Sequence, residues 1–166
     1  MTCLFELSIA LLITLLNGFF VMAEYSLVRI RKSRLDELIR QGKSRANTVL
    51  KMSEKLDPYL SATQLGITAS SLLLGWFGGP LLAEMFRGMF GVSAGTWYDH
   101  SLVFACAFLI IVFLHVVFGE LVPRTIALGK VEQVAMAVAY PLVFFHYLLY
   151  PLVVLFNRIS HAVLCL

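Results

Sequence analysis

Three long apolar stretches dominate this chain of 166 residues and restrict it to a membrane. They cover roughly residues 4–28, 59–86 and 101–122. Each is long enough for a helix to cross a hydrocarbon layer of roughly 30 Å, which takes about 20 residues. With 60% hydrophobic and 14% charged residues, the chain is too apolar for a soluble domain. We therefore predict an all-α membrane protein with three transmembrane helices, forming one domain over residues 1–166.

The last apolar segment, residues 131–166, allows two placements. Its middle, residues 134–156, is apolar enough to span, but Pro141 and Pro151 each remove a backbone donor and favour a kink. Four ring side chains suit the level of the lipid headgroups instead: Tyr140, His146, Tyr147 and Tyr150. A spanning helix puts the C-terminus outside and an interfacial helix keeps it in the cytoplasm, and the residues alone leave both open.

Basic residues predict the orientation. RIRKSR (residues 29–34) follows the first stretch at once, and Arg124 and Lys130 follow the third, whereas the connection between the second and third has only Arg87. By the positive-inside rule, the loops after the first and third stretches are cytoplasmic and the N-terminus is outside.

Two short amphipathic helices are predicted on the cytoplasmic side, separated by Gly42. Apolar residues recur there at i, i+3 and i+4: Leu35, Leu38 and Ile39 before the glycine, then Ala46, Val49 and Leu50 after it. The basic faces of these helices suit anionic headgroups.

Polar side chains inside the first two stretches are candidates for an ion path, because such residues are costly in lipid. Asn17 and Glu24 lie seven residues apart, about 20° around a helix, so they share a face. Glu24 could instead pair with a basic residue just beyond the span. The second stretch carries a line of polar or small residues flanked by two more: Gln64, Thr68, Ser71 and Gly75, with Thr63 and Ser70. This line suits either a polar cavity or close helix packing.

The third stretch ends with a glycine and a carboxylate, and a proline follows it. Pro123 has no N–H, so we predict that it breaks the helix, frees the carbonyl of Gly119 and moves Val122 out of the α region. The freed carbonyl and Glu120 offer the oxygen ligands that Mg²⁺ or Na⁺ prefers. The alternative for Glu120 is a structural salt bridge. His115, one turn earlier, is predicted to be hydrogen-bonded or packed, and to line a polar cavity beside these oxygens.

Catalytic motifs are missing from the sequence. There is no nucleophile elbow, no phosphate-binding glycine loop, no HExxH and no Cys/His cluster with zinc spacing. We expect neither enzymatic activity nor a nucleic-acid partner.

Four blocks resemble the transmembrane domain of the CNNM/CorC family, also called HlyC/CorC or hemolysin-like: NGFFVMAEYSLVRIRKSRL (17–35), LSATQLGITASSLLLGW (60–76), FLHVVFGELVPRTIAL (113–128) and YPLVVLFN (150–157). The resemblance implies three transmembrane helices, a cytoplasmic pair of short helices and a kinked juxtamembrane helix at the interface, which puts the C-terminus in the cytoplasm. It also implies a homodimer in the lipid bilayer. Relatives continue into cytoplasmic CBS and CorC domains, so we expect this chain to be part of a longer protein.

The usual activity of this family is divalent cation transport, chiefly Mg²⁺ efflux proposed to be coupled to Na⁺. Carried over by position, the implied metal ligands are Asn17, Glu24, Ser70, Ser71, Gly119 and Glu120. Val21 and Ala23 stand where many relatives carry serines, and Arg124 replaces a more common lysine. Some members with this first-helix form are linked to polyamine export.

Three hypotheses follow from these residues. The first is Mg²⁺ efflux across a bacterial inner membrane, through a cavity between the three spans lined by Thr63, Gln64, Thr68 and His115. The second is export of a diamine such as putrescine or cadaverine, whose ammonium groups would pair with the carboxylates. The third is a membrane anchor or regulator without transport activity.

Overall fold

Helices make up almost all of the described part of the chain. A computed structural model describes residues 2–90 and 97–164, with side chains at 5, 7–78, 105–106 and 108–159, and these residues contain no strand. The elements in chain order are α1 (Thr2–Arg29), α2 (Lys32–Arg40), α3 (Ser44–Glu54), α4 (Leu56–Phe90), α5 (Trp97–Leu114), a π-helical segment (His115–Leu121), α6 (Val122–Gly129) and α7 (Val131–Leu164). The predicted all-α fold is confirmed.

Three helical stretches are long and apolar enough to cross a membrane: Leu7–Arg29, Phe108–Gly129 and Val131–Ile159. The first two contain most of the predicted first and third spans. The predicted second span lies within α4 but runs beyond the described side chains, so it stays a prediction. The stretch in α7 passes through Pro141 and Pro151 as one helix. Its length and composition fit a crossing helix, and the interfacial placement stays a prediction.

Pro123 does not break the helix, contrary to the prediction. The chain winds as a π-helix from His115 to Leu121 and continues directly into α6. Val122 keeps α-helical angles, φ −65° and ψ −51°, and its N–H bonds to the carbonyl of Val117, five residues back. A π turn is wider than an α turn, so the i−4 carbonyl that would collide with the proline ring is displaced. The helical stretch that is apolar enough to cross a membrane therefore runs to Gly129, beyond the predicted end of the third span at Val122.

The chain divides into two compact units. The first comprises Met1–Gly18 and Thr68–Val122, and the second comprises Phe19–Ile67 and Pro123–Leu166. In the first unit, buried Ile13, Leu74 and Ile111 form an apolar cluster between three helices. This cluster packs the start of α1 against α4 and α5.

The second unit contains the two short helices. α2 buries Leu35 and Leu38, while α3 buries Ala46, Val49 and Met52, and α3 packs on both α2 and α7. Gly42 has φ +80° and ends α2, because the N–H groups of Gly42 and Lys43 bond to the carbonyls of Ile39 and Leu38. These two bonds are the Schellman arrangement, which favours a glycine at this position. The predicted division at Gly42 is thus confirmed.

Close packing of α1 on α4 in this unit requires the absence of a side chain at Gly66. A Cβ there would lie 2.5 Å from the ring of Phe20. That ring is buried and makes edge contacts with Phe19 and Phe145, so it has little room to move.

We predict that Gly66→Ala lowers stability by about 1–3 kcal/mol, the usual cost of overpacking. Gly75→Ala is the matched control in the same helix, because a Cβ at Gly75 meets no atom within 4 Å. The control should be neutral or slightly more stable, since alanine favours helix more than glycine does. Thermal unfolding in detergent measures both variants, and equal melting temperatures would contradict the packing described here.

Candidate cation site

The first unit holds a polar cluster built on the π-helical segment. The carbonyl of Gly119 would bond to the N–H of residue 123 in an α-helix, but Pro123 has no N–H. In the structure this carbonyl accepts a hydrogen bond of 2.9 Å from Asn17 Nδ2 of α1. The prediction that this carbonyl has no hydrogen-bond donor is therefore wrong. A carbonyl oxygen has two lone pairs, and the amide takes one of them.

His115 forms the other side of this cluster. Its Nε2 atom is hydrogen-bonded to Ser71 Oγ at 3.1 Å, which links the π-helical segment to α4. This contact agrees with the predicted hydrogen-bonded histidine. Gly119 lies directly beside it: a Cβ at Gly119 would be 3.0 Å from His115 Nδ1 and 3.2 Å from Asn17 Nδ2. A glycine at this position therefore lets the amide and the imidazole approach the same backbone.

Two polar atoms in the cluster are buried without a hydrogen-bond partner among the described residues. They are Asn17 Oδ1 and His115 Nδ1. Asn17 as a whole is only 1% exposed. Buried polar atoms almost always have a partner, because an unpaired one costs about 1–3 kcal/mol. The two atoms thus mark a place where a water molecule or a ligand can be held.

Glu120 supplies the negative charge at this end of the first unit. Its side chain is exposed, and within the described residues it forms no ion pair. The structural salt bridge considered as an alternative is thus not found in that part of the chain. No group of three His, Cys, Asp or Glu side chains converges on a possible metal position among those residues either. The buried oxygens of the cluster are thus neutral, and the carboxylate of Glu120 follows Gly119 directly in the chain.

The predicted polar line of α4 does not form a single buried face. Ser70 and Thr63 are buried, whereas Thr68 and Gln64 are exposed. Ser70 and Thr68 belong to the first unit. Thr63 and Gln64 belong to the second, where Thr63 Oγ1 donates to the carbonyl of Leu60 at 2.8 Å. The hydroxyl of Thr63 thus has a local structural partner.

Glu24 also belongs to the second unit, where it is partly buried on α1. Seven predicted site residues lie in the first unit: Asn17, Thr68, Ser70, Ser71, His115, Gly119 and Glu120. Hydrogen bonds directly join Asn17 to Gly119 and His115 to Ser71.

A cavity of about 340 Å³ lies beside His115 in the first unit. Its lining is mostly apolar and includes Leu11, Leu74, Ile111 and Phe118. His115 is the one residue among the four predicted cavity-lining residues that lines it. Thr14 also lines it and was missed in the sequence. Its position three residues before Asn17, on nearly the same helix face, was the signal that could have found it.

The chain is similar to a known family of membrane proteins. The family model of the cyclin M transmembrane N-terminal domain (CNNM) matches residues 7–166. The UPF0053 protein YugS of Bacillus subtilis is 41% identical over 143 residues, covering 86% of this chain and 33% of YugS. YhdT of the same organism is 42% identical over 151 residues, covering 90% of this chain and 32% of YhdT. An uncharacterized protein of Mycobacterium tuberculosis is 38% identical over 156 residues, covering 94% of this chain and 44% of that relative.

The helices and the buried polar cluster define a multi-pass membrane domain. The chain belongs to the CNNM family, as the match over residues 7–166 and these relatives show. It spans about a third of the length of the two Bacillus subtilis relatives. The resemblance stated from the four sequence blocks is thus confirmed.

We predict that Asn17→Ala lowers stability by about 1–3 kcal/mol, because the buried Gly119 carbonyl then loses the hydrogen bond from the amide. Asn47→Ala is the matched control, since Asn47 is exposed on α3. Its effect should stay within about 0.5 kcal/mol. Thermal unfolding of both variants in one detergent compares them, and an Asn17→Ala melting temperature equal to that of Asn47→Ala would refute this role of the amide.

Proposed function

We propose that this domain transports a divalent cation, with Mg²⁺ efflux as its activity. The observation that carries the proposal is the buried cluster around Gly119, where a carbonyl oxygen and the unpartnered Oδ1 of Asn17 lie in an otherwise apolar helical unit. Polar groups inside a membrane are costly and usually mark an ion or substrate path. Membership of the CNNM family supports the same activity, because divalent cation transport is what the resemblance implies.

The donor set favours a hard cation. Gly119 has a carbonyl oxygen, Asn17 has an unpartnered amide oxygen, Glu120 has a carboxylate, and Ser70 and Ser71 have hydroxyls. Mg²⁺ prefers such oxygen ligands and usually keeps several of its own waters, so it needs only one or two carboxylates. Zinc or copper would favour several His or Cys ligands, and no such group occurs among the described residues. Glu120 then supplies charge, while the neutral oxygens replace part of the water shell.

We predict that Glu120→Gln lowers Mg²⁺ flux at least tenfold in liposomes that contain the purified chain and a Mg²⁺-sensitive dye. The amide keeps the size of the side chain and removes the charge that offsets the cation. Glu54→Gln is the matched control, because Glu54 is an exposed carboxylate at the end of α3. Its flux should equal that of the wild type. Wild-type flux in Glu120→Gln would remove the central residue from the mechanism.

Diamine export is the second candidate, and the cavity beside His115 favours it. The apolar walls of this cavity suit the methylene chain of putrescine or cadaverine better than they suit a hydrated ion. Val21 and Ala23, which replace the serines of many relatives, are both buried apolar residues here. An ammonium group would then pair with Glu120.

Competition in one assay separates the two substrates. If the domain carries Mg²⁺, millimolar putrescine leaves the Mg²⁺ flux unchanged, and the liposomes do not take up labelled putrescine. If it carries a diamine, labelled putrescine crosses the membrane and unlabelled cadaverine competes with it. If neither Mg²⁺ nor putrescine crosses the membrane, the third hypothesis, a membrane anchor or regulator, is favoured.

We also propose the cellular setting implied by the resemblance. The chain would act as a homodimer in a bacterial inner membrane, with its N-terminus outside, its C-terminus cytoplasmic and Na⁺ as the coupling ion. The bacterial relatives support this location, and their greater length leaves room for cytoplasmic CBS domains that would adjoin this one.

A further inference from the structure

A basic groove lies in the second unit, between the α2–α3 turn and the start of α7. It has a volume of about 460 Å³. One wall carries Lys43, Ser44 and Arg45, and the other carries Gln133, Met136 and Ala137. The groove is thus cationic and polar on one side and partly apolar on the other.

The two cations of this groove are not offset by a carboxylate in its lining. Arg34, which lines a separate groove at the end of α1, does have carboxylate partners. It is paired with Glu37 and, at 2.6 Å, with Glu132. The hydrogen bond that Arg34 donates to Glu132, followed by the one that it donates to Glu37, raises the pKa of the Arg34 guanidinium above its ordinary value. The charge of Arg34 is thus offset by protein, whereas the charges of Lys43 and Arg45 are available to an external anion.

The groove lies near one end of a candidate membrane span. Gln133, Met136 and Ala137 occupy the first two turns of the stretch Val131–Ile159, within about 10 Å of its start at 1.5 Å per residue. An interfacial α7 would keep the same residues near the headgroups. The guanidinium of Arg45 lies 5.7 Å from the ring centre of Tyr140, a distance at which a cation and a ring attract each other. Tyrosines are common at this level of a membrane.

We propose that this groove binds the headgroup of an anionic phospholipid. Lys43 and Arg45 contact the phosphate, as such residues do at basic lipid sites. Met136 and Ala137 contact the glycerol and the first methylenes of the acyl chains. A free phosphate ion would use the cations and leave these apolar residues without a partner, so the partly apolar lining favours a lipid. This binding does not depend on what the domain transports.

Lipid titration by native mass spectrometry tests the proposal on the whole chain in detergent. The probes are phosphatidylglycerol and phosphatidylcholine with identical acyl chains. The wild type should bind phosphatidylglycerol roughly tenfold more tightly, since each nearby basic residue contributes to such binding. The double variant Lys43→Gln/Arg45→Gln should lose most of this preference. The matched control is Lys51→Gln/Lys55→Gln, which removes the same charge from exposed residues outside the groove.

Three results would overturn the proposal: an unchanged preference in the double variant, an equal loss in the control, or displacement of the lipid by millimolar glycerol phosphate. The first two would show that the groove does not select the lipid, and the third would assign the site to a soluble phosphate. Thermal unfolding checks that each variant is folded. If the double variant does not fold, Lys43→Gln alone should show a partial loss of preference, and a wild-type preference in that variant would count against the groove.

Discussion

The hydrogen bond from the Asn17 amide to the Gly119 carbonyl is the interaction on which the rest of the candidate site depends. It joins two segments that are 102 residues apart in sequence. Pro123 cannot supply the helical donor for this carbonyl, and lipid offers none. The amide of Asn17 therefore gives the buried Gly119 carbonyl a hydrogen-bond donor. Because Gly119 carries no side chain, Asn17 and His115 both approach its backbone closely.

The sequence predicted the helices well, because apolar runs and helical spacing depend only on local physics. The division at Gly42 followed from a residue that tolerates positive φ. The π-helical segment was not predicted, because Pro123 reveals a missing donor without revealing which register change absorbs it. The partner of Gly119 was equally hidden, since no periodicity links residues so far apart. The exposure of Gln64 and Thr68 was missed because a polar line does not say which neighbour a helix packs against.

The cavity beside His115 and the basic groove suit different kinds of ligand. In the first unit, the buried oxygens of Asn17 and Gly119 suit a cation that keeps some of its water, and the apolar cavity beside His115 suits an ammonium on an apolar chain. In the second unit, unpaired basic residues adjoin apolar ones near the end of a span, which suits a lipid headgroup. The first place contains a buried oxygen without a hydrogen-bond partner among the described residues, and the second contains exposed cations without a carboxylate in the lining.

The most direct measurement is the chemical shift of the Gly119 carbonyl during a Mg²⁺ titration. Gly119 is the only glycine followed by glutamate, so ¹³C-carbonyl glycine with ¹⁵N-glutamate gives one unique correlated NMR signal. The account predicts a saturable shift of this signal in the wild-type chain and a greatly weakened response in Glu120→Gln. A signal that stays fixed at Mg²⁺ concentrations that sustain flux would contradict the claim that this carbonyl contacts the transported ion.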